Sequence, residues 1–273
     1  TVTVTLTPVL SPTISSESDL DSVDVGESVT FSAFETPNKS GQIPISGFSW
    51  DTDSDGLNDV NGVTTEQSWP EPGNYSVRLS VTSTDSRSAS TTRTIAVSDI
   101  SPPTVSMSPS GQITKGFGEE LSVSATFTDN WGVESIDWLF DGSIVLSNYT
   151  ITEPISTLSI QISDDYSAGE HVASIIVTDK SGISTRQDVT VIFIDVSAPV
   201  ISPYDGQIEV EGGDPTILQI FAQDNQSEGL DYTWIFEQGT ENEIQFSGPQ
   251  VIYEFDSEGP TSVVCRVQND AGL

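Results

Sequence analysis

Three short strands, each with one tryptophan, decide the architecture: "GFSWD" at 47–51, "IDWLFD" at 136–141 and "YTWIFE" at 232–237. Their tryptophans are 88 and 96 residues apart. Each is preceded by a turn of glycine and acidic residues with an alternating strand, and is followed by a glycine turn with another alternating strand. Landmarks that recur in one order at a nearly fixed period indicate tandem domains. The chain of 273 residues therefore holds three similar units.

The fold class follows from the pattern inside each unit. About seven short segments alternate apolar and polar residues, with turn signals between them. Alternation with a period of two is typical of half-buried strands, and such a set of strands around a central tryptophan is typical of an Ig-like β-sandwich. No long segment has the 3.6-residue period of a helix. The sequence predicts an all-β chain of three tandem Ig-like β-sandwich domains in an elongated string.

The junctions between the units also resemble one another: "VLSPTIS" at 9–15, "DISPPTVS" at 99–106 and "DVSAPVIS" at 195–202. They place the three domains at 11–98, 99–196 and 197–273. Proline restricts its own backbone and that of the residue before it. We therefore expect short, stiff junctions that keep neighbouring domains extended.

The two ends of the sequence show complementary patterns. Residues 1–10, "TVTVTLTPVL", alternate as a strand does, and they align with the closing strands of the first two units. We interpret them as the closing strand of a preceding or neighbouring domain. The third unit has only 14 residues after Gly259, and it lacks a closing strand. Either the segment is cut from a longer chain of the same repeats, or residues 1–10 of one subunit complete the third domain of the next, head to tail, by donor-strand complementation.

The dipeptide Trp50-Asp51 and the run "PGNYSV" at Pro72–Val77 carry a family resemblance. With them, residues 47–97 resemble the PKD family of Ig-like domains. Trp69 stands where that family usually has a tyrosine, and the turn after Trp50 replaces the short F-G-D-G of the family. The resemblance implies an Ig-like β-sandwich.

The other two units resemble the same group of domains. The second is similar to bacterial Ig-like repeats of large surface proteins, through "FTDNWGVESIDWLFDG" and "VTDKSGIST", and the third is a weaker relative through "AQDNQSEGLDYTWIFEQG". The resemblance implies a module of microbial cell-surface proteins. Such modules occur in adhesins, surface-layer proteins and filaments, and as accessory domains of secreted hydrolases.

The composition is strongly acidic, with 41 Asp and Glu against 8 Lys and Arg and a net charge of −33. This charge repels nucleic acid and anionic membrane surfaces. No apolar run is long enough to span a bilayer, so we expect no membrane insertion in this segment. Two causes of the charge remain open. It is a solvated surface adapted to saline water, or it reflects metal binding in one or two loops.

One motif predicts a specific metal site, the run "DTDSDGLND" at 51–59. Carboxylates at a spacing of two point at one centre when such a loop curls, and a glycine permits the sharp turn. The predicted Ca²⁺ ligands are Asp51, Asp53, Asp55, Asp59 and the backbone carbonyl of Leu57. The twelfth position of an EF-hand loop is glycine here instead of Glu, so a short extracellular-type calcium loop is the better match. The alternative is a solvated acidic turn.

Further aspartates recur at loop ends of the second and third units: Asp129, Asp141 and Asp179, then Asp224, Asp231 and Asp270. They either hold ions between domains or form Asx turns, which is the commoner role of aspartate in loops. Four N-x-S/T sequons are candidate glycosylation sites, although some arise by chance in a chain rich in Ser and Thr: Asn38, Asn74, Asn148 and Asn225.

Residues for catalysis are scarce. The one histidine, His171, lies in a predicted strand, and a lone histidine there is far more often a surface or core residue than part of a triad. One cysteine and one histidine cannot form a zinc site. Cys265 shares the parity of Val263 and Val267, so we expect it to face the core. The absence of any possible disulfide favours a microbial origin, and we expect no enzymatic activity.

Two functions remain. The first is a structural segment of an extracellular microbial surface protein, as a stalk, surface layer or filament, stabilised by Ca²⁺ and in contact with other copies or repeats of the same protein. The second is a non-catalytic spacer of a secreted hydrolase or adhesin that binds carbohydrate or protein. Both place the chain outside the cell, with the first at the cell surface. Glycans are a further possible partner.

Overall fold

The computed structural model describes residues 9–34, 44–163, 165–202, 206, 208–227, 229–256 and 258–273. Every regular element in these ranges is a β-strand, as the alternating pattern predicted. No helix in the described ranges is long and apolar enough to cross a membrane. The fold class, all-β with sandwich repeats, is confirmed.

The first unit has eight strands in its described part: β1 Ser15–Ser16, β2 Val23–Asp24, β3 Val29–Ser32, β4 Ile45–Asp51, β5 Val60–Asn61, β6 Thr64–Gln67, β7 Gly73–Ser83 and β8 Ser88–Ser98. One sheet has the order β2-β8-β7-β4-β5 and the other the order β1-β3-β6. All neighbours are antiparallel except β2 and β8, which are parallel.

The second unit repeats this arrangement with eight strands: β9 Thr104–Ser108, β10 Ile113–Gly116, β11 Glu120–Thr128, β12 Val133–Phe140, β13 Ser143–Asn148, β14 Ile155–Gln161, β15 Gly169–Asp179 and β16 Ser184–Ile194. Its sheets have the orders β10-β16-β15-β12-β13 and β14-β11-β9. Again the one parallel pair joins the first strand of the larger sheet, β10, to the closing strand, β16.

The third unit differs at one edge. Its described strands are β17 Val200–Ile201, β18 Pro215–Gln219, β19 Ala222–Gln223, β20 Leu230–Phe236, β21 Ile244–Ser247, β22 Gln250–Glu254 and β23 Val263–Asn269. They form the sheets β21-β20-β23, β18-β22 and β17-β19. In the second unit β15 lies between β12 and β16, whereas among the described residues β23 pairs with β20 alone.

The two-residue period of the sequence places one face of each strand in the core. In β7, Val77, Leu79 and Val81 are fully buried, while the residues between them are more exposed. Trp50 and Trp138 are fully buried and Trp234 is 4% exposed, as expected for the central tryptophan of each sandwich. Burial of each such side chain stabilises its domain by a few kcal/mol.

The cores differ in size. Among the described residues, seventeen buried apolar side chains form the core of the second unit, thirteen that of the first and four the cluster in the third. Cys265 packs against this third cluster with Val263, which confirms its predicted orientation. In the described part of this unit, one flank of β23 also carries no strand.

A tyrosine fixes the start of β7 in the first unit. The Tyr75 hydroxyl donates to the Glu71 carbonyl, with an O–O distance of 2.9 Å, and the ring stacks on Trp69 at 5.4 Å between centroids. Trp69 is buried, and it meets Phe31 edge-on at 6.3 Å. A tyrosine whose hydroxyl binds the backbone a few residues upstream is typical of Ig-like sandwiches. Trp69 therefore serves as a core aromatic where the family usually has a tyrosine.

Candidate cation-binding sites

The predicted calcium loop follows the tryptophan strand of the first unit. Trp50 fixes the ends of the loop, because its indole N–H donates to the Gly62 carbonyl at 2.9 Å and its carbonyl accepts the Asp59 N–H at 2.8 Å. Gly56 has φ of 90°, the left-handed conformation that the sharp turn was predicted to need. The loop therefore curls back onto β4 as expected.

The loop brings three of its four aspartates together. Asp51, Asp53 and Asp59 each offer a carboxylate oxygen, and these oxygens lie within 4.8 Å of one another. Asp51 is buried and the other two are exposed. Both Asp51 oxygens accept loop amides, from Ser54 at 2.8 Å and Gly56 at 3.2 Å. The cluster can offer oxygen ligands to a hard cation, and each of its carboxylates also accepts an N–H.

Of the four predicted aspartates, Asp55 lies outside this cluster. The Asp55 carboxylate accepts the Leu57 N–H at 2.7 Å, so it closes a local turn. The Leu57 side chain is 70% exposed.

Asp59, a member of the cluster, accepts the Thr52 N–H at 2.7 Å and the Thr52 hydroxyl at 2.9 Å. These bonds, the backbone one foremost, lower the pKa of Asp59, so its carboxylate is charged at neutral pH.

A second acidic cluster lies at the junction of the first two units. Asp99, Asp129 and Asp179 also hold carboxylate oxygens within 4.8 Å of one another. The recurrence of aspartates at loop ends pointed to Asp129 and Asp179 but not to Asp99. The missed signal is its position as the first residue of "DISPPTVS", which Asp195 shares in "DVSAPVIS".

The remaining predicted aspartates are used differently. Asp141 lies 2.7 Å from Nδ1 of His171 and accepts the Val172 N–H at 2.9 Å, so it is not part of the junction cluster. Asp270 accepts the Gly229 N–H at 3.3 Å, and Asp231 lies exposed on β20.

His171 is a core residue. It is 7% exposed, its Nε2 lies 2.9 Å from the Ser167 carbonyl, and its ring lies 4.4 Å from that of Phe193. A carbonyl cannot donate, so Nε2 carries a proton, and Nδ1 faces the Asp141 carboxylate. Both ring nitrogens are thus held by polar partners while the ring packs in the core, which agrees with the structural role expected from the sequence.

The first two units meet through side chains on both sides of the junction. Trp131 of the second unit packs against the core of the first, and the Asn130 amide donates to the Val25 carbonyl at 3.1 Å. From the first unit, Asp24 accepts the Ile100 N–H at 3.1 Å and the Ser101 hydroxyl. The linker and the loop after β11 are therefore both fastened to the first unit.

The sequons lie on exposed surface where they are described. Asn74, Asn148 and Asn225 are exposed, whereas Asn38 lies outside the described residues. The Asn148 side chain accepts the Thr150 N–H at 2.9 Å within its own sequon. Glycosylation remains a prediction, and an intact-mass measurement of the natural protein would test it.

Comparison with known proteins gives a family for the first unit. Residues 10–98 match the family model of the PKD domain. A search of the curated proteins finds no match. PKD and Ig-like domains are in general non-catalytic modules and are typical of extracellular proteins.

Several solved structures are similar to the chain. A 3Ig structure of titin domains is 14% identical, with 96% of this chain and 95% of that chain covered and a TM-score of 0.45. Fibronectin(III)-like modules of Clostridium thermocellum CbhA are 19% identical, with 67% and 95% covered and a TM-score of 0.31. Drosophila OTK extracellular domains 3–5 are 14% identical, with 94% and 92% covered and a TM-score of 0.30.

The contacts of Asp24 generate a pH-dependent prediction. Burial raises the pKa of this carboxyl, but hydrogen bonds, from Ser101 first and then Ile100, outweigh burial and leave the pKa below its ordinary value. A lowered pKa stabilises the fold above the unfolded value of about 3.9, and this stabilisation is lost as pH falls through the lowered pKa. We expect the melting temperature to fall more between about pH 6 and pH 3 in the natural chain than in Asp24→Asn, by calorimetry.

The control for that comparison is Asp21→Asn, which removes an exposed carboxylate of the same unit. It should keep the pH dependence of the natural chain. Equal pH dependence in Asp24→Asn and the natural chain would show that Asp24 does not stabilise the junction.

Proposed function

We propose that this chain, whose residues 10–98 form a PKD domain, is a structural segment of an extracellular microbial surface protein, as part of a stalk, surface layer or filament. The contact between the first two units is the observation that carries this proposal. Trp131 packs into the first core, and Asp24 binds the linker at Ile100 and Ser101. A junction held from both sides restricts the angle between neighbouring domains, as a stalk or filament requires.

The charge supports the same role. A net charge of −33 disfavours compact packing of one unit on another through self-repulsion. It also favours solubility in saline surroundings, where salt screens charges beyond about 3–10 Å. An acidic string of sandwiches would therefore remain extended except where cations or direct contacts join its parts.

Solution scattering tests the extended shape. Three sandwiches of about 40 Å each, end to end, should give a maximum dimension of about 120 Å. A compact chain of this length would have a radius of gyration of about 19 Å, and we expect a clearly larger value. Trp131→Ala should broaden the distance distribution because it removes the contact with the first core, while Tyr149→Ala, at a side chain that is 73% exposed, should not. A compact particle would contradict the proposal.

We further propose that Ca²⁺ binds in the loop at Asp51, Asp53 and Asp59. Three carboxylates converge there, and a flexible set of oxygen ligands suits Ca²⁺ better than Mg²⁺. The Leu57 carbonyl and water would complete the coordination. The ion would fasten a loop that begins at the central strand β4, so it would stabilise the first unit.

Removal of calcium tests this loop site. At a hundredfold excess over Kd, Ca²⁺ should stabilise the first unit by about 2.7 kcal/mol, so EDTA should speed hydrogen exchange at 45–61. Asp53→Asn combined with Asp59→Asn should abolish the effect. Asp55→Asn is the matched control, because Asp55 lies in the same loop outside the cluster, and it should retain the effect. Identical exchange at 45–61 in EDTA and in millimolar calcium would refute the site.

In the part of the chain that the structure describes, one edge of β23 has no paired strand, which supports a head-to-tail partner. Val263, Val264 and Cys265 are only half-buried, and four buried apolar residues form the third core among the described residues. An open edge with an apolar flank favours pairing with another strand. We propose that residues 1–10 of a second copy occupy this edge, with Val2, Val4 and Leu6 in the core.

A complementation assay tests the strand exchange. Deletion of residues 1–10 should abolish concentration-dependent assembly in light scattering. The peptide TVTVTLTPVL should then raise the melting temperature of the shortened chain, because it adds the missing strand pairing. A peptide with Ser in place of Val2, Val4 and Leu6 keeps the backbone and should have no effect. Assembly that persists after the deletion would rule the exchange out.

A further inference from the structure

The acidic cluster at the first junction joins three separate segments. Asp99 follows β8 in the linker, Asp129 follows β11, and Asp179 ends β15. Their carboxylate oxygens lie within 4.8 Å of one another. Asp99 is 6% exposed, Asp179 is fully buried and Asp129 is half-buried, so the cluster is more buried than the acidic loop of the first unit.

Each of these carboxylates has one oxygen without a partner. Oδ1 of Asp99, Oδ1 of Asp129 and Oδ2 of Asp179 are buried and accept no hydrogen bond in the described part of the chain. A buried polar atom without a partner costs about 1–3 kcal/mol, and more when it is charged. Three such atoms in one cluster indicate that a positively charged group normally lies among them.

The other oxygen of each carboxylate is held in place. Asp129 Oδ2 accepts the N–H groups of Trp131 and Gly132, both at 2.8 Å. Asp179 Oδ1 accepts the N–H groups of Ser181 at 2.9 Å and Ile183 at 2.8 Å. Asp99 Oδ2 lies 3.0 Å from the Ser181 hydroxyl. These bonds orient the carboxylates and leave one oxygen of each available to a ligand.

The described residues supply no cation to this cluster. The ion pairs within 4 Å join Arg87 to Asp85, His171 to Asp141 and Arg186 to Asp188. Lys180 is adjacent in sequence, but its ammonium lies over the Trp131 ring, 5.9 Å from the centroid.

The second junction shows how carboxylates at equivalent positions obtain hydrogen-bond donors elsewhere in the chain. Asp195 begins the second linker as Asp99 begins the first, and Asn269 ends β23 as Asp179 ends β15. The Asn269 side-chain nitrogen donates to Asp195 at 2.8 Å and to Asp224 at 3.0 Å. An amide with two polar hydrogens thus lies between two carboxylates. At the first junction a third carboxylate takes the place of that amide.

We propose that Asp99, Asp129 and Asp179 bind one Ca²⁺ ion at the junction of the first and second units. Calcium–oxygen distances are about 2.3–2.6 Å, so ligands on opposite sides of the ion can be up to about 5 Å apart, which agrees with the spacing of these oxygens. Ligands that are all oxygens favour a hard cation, and water would fill the remaining positions.

The ion would hold the junction together. It would tie the linker next to Ile100, whose N–H binds Asp24, to the loop that carries Asn130 and Trp131. Both segments contact the first unit, so an ion between them would fix the orientation of one domain relative to the next. This mechanical consequence rests on the proposed function as an extended structural segment, whereas the site itself does not.

Titration isolates the site. In the full chain, Asp53→Asn combined with Asp59→Asn removes two carboxylates of the loop site. Isothermal titration calorimetry with Ca²⁺ should then find one tight site. Tb³⁺ should report the same site by emission sensitised through Trp131, and Ca²⁺ should displace it. Asp179→Asn copies the arrangement around Asn269, so the variant should fold. Its affinity for Ca²⁺ should be at least about tenfold weaker, because the charge of the ligands sets the affinity.

Two further variants sharpen the result. Asp231→Asn removes one exposed charge outside the cluster and should leave the affinity unchanged. Asn269→Asp converts the second junction to three carboxylates and should add a second tight site. Should Asp179→Asn fail to fold by circular dichroism, Asp129→Asn replaces it, because its amide oxygen can still accept the backbone N–H groups. Unchanged affinity in a folded variant of the cluster, or no tight site in the background chain, overturns the proposal.

Scattering with and without Ca²⁺ separates the site from its mechanical role. A narrower distance distribution with Ca²⁺ supports both the binding site and its role in holding the junction. Tight binding that leaves scattering unchanged keeps the site and overturns its role in the junction. A compact particle under both conditions overturns the proposed function and leaves the binding result intact.

Discussion

The buried indole of the central strand imposes a constraint on each sandwich, because it needs both an apolar core and an acceptor for its N–H. Trp50 and Trp234 donate to backbone carbonyls of the return segment, at Gly62 and Gly248, and Trp138 donates to the Ser156 hydroxyl. Each indole thus joins its strand to a segment twelve to eighteen residues farther on. An unsatisfied buried N–H would cost about 1–3 kcal/mol, so these bonds fix where the chain turns.

The positions of the acidic residues follow from that constraint. In the first unit the chain between Trp50 and its acceptor, Gly62, is the acidic loop, so the loop must curl to bring the two together. Its aspartates meet as a result of the closure. The cluster at the junction has a different origin: its residues lie at the ends of β8, β11 and β15, which belong to three different sheets and meet where the first two units join.

Junctions therefore differ although the domains repeat. At the first, Trp131 packs into the neighbouring core and three carboxylates converge. At the second, Asn269 bridges two carboxylates through its amide. One residue distinguishes the two junctions. Asp179 at the end of β15 contributes a third carboxylate to the proposed cation site, whereas Asn269 at the end of β23 donates hydrogen bonds to the two carboxylates of the second junction. Tandem repeats of this kind can thus differ in their response to calcium without any change of fold.

The sequence by itself determined the fold class, the buried face of the strands and the local turn of the acidic loop, because these depend on residues a few positions apart. Alternation set the face of β7, and Gly56 allowed the turn. Which aspartates meet was decided by the tertiary structure. Asp99 and Asp179 are 80 residues apart and converge only because sheet pairing and domain packing bring the strand ends together. Asp141 has the same sequence signal as Asp179, yet it pairs with His171, since it lies at the opposite end of the sheet strands.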